Sequence, residues 1–164
     1  MALGAGLISA HRPSIARRGR AGVHEGRQLK LTVIAVGRLR PPYVDDVAHY
    51  ARLLSRHARL DLIEVREDEA AVRRVPGDAF VSLLDTAGSA YASDAFAGWL
   101  EQRRHAGRDL AFVVGGPFGA PDLNRVDHHL SLGTMTMAHQ LARVVLLEQL
   151  YRAHKILAGE PYHH

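Results

Sequence analysis

Apolar positions in this chain come in two rhythms, short unbroken runs and longer stretches recurring every three or four residues. Leu29 to Gly37 is β-branched, apolar and closed by glycine, which predicts a buried first strand. Pro41-Pro42 then opens a predicted helix from Tyr43 to His57, with Asp45 and Asp46 in its first turn. Leu60 to Val65 alternates as a half-buried strand does, and the charged stretch Arg66 to Arg74 predicts one or two weak helical turns before Pro76-Gly77. Ala79 to Asp85 predicts another buried strand, and Ser93-Asp94 caps a helix to about His105, stopped by Ala106-Gly107. Asp109 to Val114 predicts a strand and Asp122 to His129 a short helix. The last helix spans about His139 to Ala158, with Gly159 and Pro161 at its end.

Strands alternating with helices predict an α/β fold, a parallel sheet covered on both faces in one domain. The last helix has more apolar residues than one stripe needs: Leu141, Val144, Val145, Leu146, Leu147, Leu150, Tyr151, Ile156 and Leu157 cover well over half its circumference. A surface helix needs an apolar stripe of about 100° or somewhat more. A second buried face is expected, in the core or against another copy, and a homodimer follows.

Composition changes this picture in two places. The chain has 164 residues, no cysteine and no apolar run near the roughly 20 residues of a membrane span, so thiolate metal sites and bilayer crossing are not expected. The net charge of +4 lies wholly in residues 1–28, where Arg12, Arg17, Arg18, Arg20 and Arg27 face one acid, Glu25. That extension is expected to be disordered: a basic arm touching RNA, an organelle-targeting peptide, or the product of a start codon placed too early. The expected location is the cytoplasm, or an organelle if the extension is a transit peptide.

Candidate chemistry concentrates in the last third. In open parallel sheets ligands bind beyond the carboxyl ends of the strands. There the apolar strand Leu110 to Val114 runs into Gly115-Gly116-Pro117-Phe118-Gly119, and Ser131 to His139 forms a second loop before the last helix. Glycines let backbone N–H and C=O groups approach a ligand, or they simply make a turn. No dinucleotide fingerprint, Walker A sequence, nucleophile elbow or zinc-binding helix motif occurs. His128-His129, adjacent and pointing to different faces of a helix, suggest no metal site.

The ordered set Val33 to Gly37, Gly115-Gly116-Pro117 with Gly119, Ser131-Leu132, Met135-Thr136-Met137 with His139, Gln149 to Ala153, and Pro161-Tyr162-His163 resembles the RlmH family. These are the ribosomal large-subunit pseudouridine N3-methyltransferases of the SPOUT superfamily, and the resemblance runs from about Leu29 to His164. It implies a C-terminal trefoil knot, a homodimer, and S-adenosylmethionine as cofactor, with the partner's tail near the pocket. Leu84, Gly115, Gly116, Gly133, Thr134, Met135, Thr136, Met137 and Ala138 would line the donor site. Tyr162 and His163 would lie near the target base, and Arg143 and Arg152 would meet RNA phosphate or anchor the tail. The implied substrate is N3 of pseudouridine 1915 in 23S ribosomal RNA, within assembled ribosomes.

Four departures stand out. Phe118 replaces a usual glutamate, Ala138 a proline, and His164 a terminal arginine or lysine near the RNA. The stretch between Val65 and Ala79 is about a helix shorter than in longer members. Methyl transfer requires N3 to lose its proton, and a group titrating near neutral pH suits that step, which nominates His163 or His139. His139 is equally readable as a capping or packing residue. The rivals are a SPOUT methyltransferase acting on another RNA and a ribosome-binding or assembly protein without turnover.

Overall fold

The computed structural model describes residues 28–162. The extension expected at 1–28 falls outside the described residues except for Gln28, and so do His163 and His164. The chain runs β1 (Lys30–Val36), α1 (Tyr43–Leu54), β2 (Arg59–Val65), α2 (Asp68–Arg74), β3 (Phe80–Ala90), α3 (Ser93–His105), β4 (Leu110–Val114), β5 (His128–Ser131) and α4 (His139–Leu157). The five strands form one parallel sheet in the order β2-β1-β4-β3-β5.

The largely apolar sequence of β1 is explained by burial on both faces. Leu31, Val33 and Ala35 point into the larger core with α1, α3 and α4, while Ile34 and Val36 point into a smaller one with Val81, Val113 and Ala71 of α2. The α/β expectation is met.

The short helix expected over 122–129 is not formed. Residues 121–127 are loop, and the following four make β5, paired with β3 through Ser82↔His128 and Leu84↔Leu130. Asp127 starts this pairing: its N–H donates to Val81 O at 2.9 Å and its carboxylate accepts Val81 N–H at 2.8 Å. His128 and His129 therefore alternate across a strand rather than around a helix. His128 turns inward, with Nδ1 at 3.0 Å from Ser82 Oγ and Nε2 at 3.1 Å from Tyr91 Oη. Tertiary pairing has overridden a weak local preference. The same pairing lengthens β3 beyond the expected Asp85 to Ala90, across an irregularity between Leu84 and Ser89.

Candidate active site

At the carboxyl edge of the sheet, the ends of β3, β4 and β5 and the start of α4 enclose a cavity of about 600 Å³. Of the residues expected at a donor site, Leu84, Gly115, Gly116, Gly133, Met135, Thr136, Met137 and Ala138 line it; Thr134 does not. His139 lines it as well. Asp85, the end of the strand expected over Ala79 to Asp85 and so at the edge where ligands bind, lines it too; sequence reasoning missed Thr86, which directly follows.

Backbone builds most of these walls. A Cβ at Gly115 would collide with the carbonyl of Gly119, and one at Gly116 would stand 3.0 Å from Val36 Cγ1. Gly116 and Gly119 close a tight turn, each N–H donating to the other's carbonyl at 3.0 and 3.2 Å, and Gly119 has φ +113°. Such a φ favours glycine. Ser131 Oγ lies 3.2 Å from Thr86 O and 2.9 Å from Gly133 O, and accepts Gly133 N–H at 3.2 Å, pinning the β5 loop to β3. Main-chain groups held this way can meet the edge of an adenine or a carboxylate with little rearrangement.

Among the described residues, Asp85 is the one carboxylate in the lining. It accepts Ala87 N–H at 2.9 Å and faces His129 Nδ1 at 3.2 Å. His139 has its pKa lowered, first by burial and then by the Arg143 cation, so a neutral imidazole stands at the cavity wall. A largely apolar hollow with one anionic group and one neutral base fits a nucleoside-bearing sulfonium in chemistry and size.

Arg143 is not at an RNA-facing surface. Its side chain is 4% exposed, and Nη2 donates to Val36 O at 3.0 Å and Gly37 O at 2.5 Å while Nη1 reaches Glu64 at 3.4 Å. Burial lowers its pKa, and Glu64 opposes that shift. The guanidinium staples α4 to the ends of β1 and β2 and thereby fixes His139, four residues earlier.

Arg152 is placed at the tail. Its guanidinium lies 4.2 Å from the Tyr162 ring centroid and grips Glu148 through Nε at 2.9 Å and Nη2 at 2.6 Å. Tyr162 also packs edge-on against Tyr151 at 5.3 Å. Burial, then Glu148, raises the Tyr162 pKa, so this phenol stays protonated and is no base at neutral pH. From His139 to Tyr151 along α4 is about 18 Å at 1.5 Å per residue. Within one chain the structure therefore does not bring Tyr162 to the cavity expected to hold its target.

The sequence family described as "Predicted SPOUT methyltransferase" matches residues 29–163. The chain belongs to the SPOUT methyltransferase family. This SPOUT methyltransferase is 37% identical over 158 residues to "Ribosomal RNA large subunit methyltransferase H" of Carboxydothermus hydrogenoformans, covering 82% of this chain and 99% of that relative. Proteins of the same name from Rubrobacter xylanophilus and Gloeobacter violaceus are 45% and 40% identical, over 82% and 83% of this chain and 98% and 99% of theirs. The 158 positions matched to the first relative occupy only 82% of 164 residues, so that relative carries residues this chain lacks within the matched span. Between Val65 and Ala79, where a shortening was expected, α2 is a single helix of seven residues.

Proposed function

We propose that this SPOUT methyltransferase methylates N3 of a pseudouridine in large-subunit ribosomal RNA, the residue expected to be pseudouridine 1915 of 23S RNA, in assembled ribosomes. The observation that carries the reading is the backbone-lined cavity ending at His139, in a chain whose relatives are named for that RNA class. The trefoil threading expected of its loops belongs to the same proposal, as does a cytoplasmic site of action. Among the described residues no helix is long and apolar enough to cross a membrane, and no cluster of metal-ligating side chains occurs.

When bound, S-adenosylmethionine supplies an electrophilic methyl group on a sulfonium. Leu84, Gly115, Gly116, Gly133 and residues 135–138 would hold the donor, and Asp85 would offset its positive charge. N3 of the base lies between two carbonyls and carries a proton at neutral pH. Neutral His139, or His163 from the tail, would accept that proton as N3 takes up the donor's methyl group. Alignment of the two reacting atoms supplies much of the rate.

The molecule acts as a homodimer in this reading. Tyr162 serves the partner's cavity, since its own lies at the far end of α4. Arg152 holds the tail by its ring. The test is incubation with labelled donor and ribosomes from a strain lacking the modification. Label is expected in N3-methylpseudouridine; donor binding with no such label defeats the assignment.

A further inference from the structure

β1 and β4 are neighbours with Ala35 opposite Val114, so the loops that follow them leave the sheet side by side. Gly116 and Val36 are in near contact there. Phe118 sits at the tip of the closed Gly116–Gly119 turn, fully exposed, while Pro117 and Gly119 on either side line the donor cavity. The ring therefore stands at the cavity mouth, turned out of it. After the neighbouring strand, the β1 loop is held by its backbone: Leu39 N–H donates to Glu64 at 3.3 Å and Arg40 N–H to Gln140 at 2.7 Å. Its side chains Arg38 and Arg40 are exposed, and neither has a hydrogen bond or ion pair among the described residues.

The loops after these two neighbouring strands together present a bare aromatic ring and two exposed cations, an arrangement of stacking and charged groups. It suits an unpaired nucleotide, whose base stacks on an aromatic ring while its phosphates meet arginine. The nearest acids in sequence, Asp45 and Asp46, lie in the first turn of α1, where they complement the helix N-terminus.

We infer that Phe118, with Arg38 and Arg40, grips an unpaired nucleotide beside the one being methylated. This rests on the RNA reading above. Phe118 stacks on that nucleotide's base and the arginines contact its backbone, so the group sets RNA affinity and positioning, not donor binding.

Methylation kinetics on unmodified ribosomes test it, with donor affinity measured by calorimetry. Phe118→Ala should raise KM for ribosomes about tenfold or more, the effect of losing one stacked base, with donor Kd unchanged and kcat changed little. Phe118→Trp should restore KM, and Phe118→Leu should not. The pair Arg38→Gln and Arg40→Gln should raise KM and flatten its dependence on salt, lowering the log–log slope by about one to two. An unchanged KM in Phe118→Ala, restoration by leucine, or a fall in the solution mass of Phe118→Ala each overturns the inference; the last would make this surface a contact between copies. Donor binding without methyl transfer by the unaltered chain is a different result: it removes the functional reading, and the grip with it.

Discussion

Gly115 has no room for a single added carbon, because the Gly119 carbonyl and Ala120 Cα occupy the space a methyl group would take. Both are backbone atoms, so Gly115→Ala must move the turn itself. It should weaken donor affinity by about tenfold or more, about 1.4 kcal/mol, as read by calorimetry. His139 makes a second claim at this scale. Its pKa is lowered, so it is neutral at pH 7 and gains a proton only below its ordinary 6.5. Activity that uses it as base is then full at neutral pH and falls as acid protonates it, with the inflection in kcat below 6.5. His139→Gln should cut kcat by roughly 10²–10⁴. An inflection above 6.5 would assign the base to another group. Of these residues, Gly115 could be read from sequence, because a glycine pair after a buried strand already signals close backbone approach. Arg143 could not, since nothing in its neighbours says whether a guanidinium faces solvent or two buried carbonyls.

Elements differ in how openly their residues declare them, and β5 shows why. Strand β4 is a continuous apolar run and β1 is largely apolar, both are buried on both faces, and that burial is written in their composition. β5 is His-His-Leu-Ser, which carries no such pattern; it is a strand because Val81 and Ser82 of β3, far away in sequence, hydrogen-bond Asp127 and His128. The second buried surface of α4 contains another feature that sequence concealed. His154 is buried against α1 and α3, stacked on His57 at 5.6 Å with Arg104 and Glu101 facing it and Tyr151 beside His57, and its Nε2 has no partner among the described residues. Burial, then His57, lowers its pKa to about 4. The unfolded chain thus binds a proton between pH 6.5 and 4 that the folded chain refuses. Stability is full above 6.5 and is lost as pH falls through this window, by roughly 3 kcal/mol for this one group. Urea unfolding at pH 7, 5.5 and 4.5 should show His154→Met losing less stability toward acid than the unaltered chain. Parallel losses in the two would remove His154 as the cause.

At the scale of the whole molecule, α4 is a bar with a site at one end and a tail at the other. Its start lines the donor cavity; its last turns hold Tyr162 through Arg152 and Tyr151. Between them Leu141 is exposed and Val144 and Val145 are only partly covered, so the apolar excess seen in sequence is not used up within one chain. In the homodimer proposed above, a second copy would cover that face and carry each tail to the other cavity. Complementation tests this directly. A chain with Gly115→Ala keeps its tail but has a damaged cavity, and a chain ending at Gly159 keeps its cavity but has no tail. With donor held well below the Kd of the intact cavity, each alone should be nearly inactive on unmodified ribosomes. Coexpressed, half of randomly paired dimers contain one of each, and every such dimer joins the intact cavity to the intact tail at one of its two sites. Activity should therefore recover to about a quarter of the unaltered level. A tail that serves its own cavity predicts no recovery, because no chain in the mixture then has both parts.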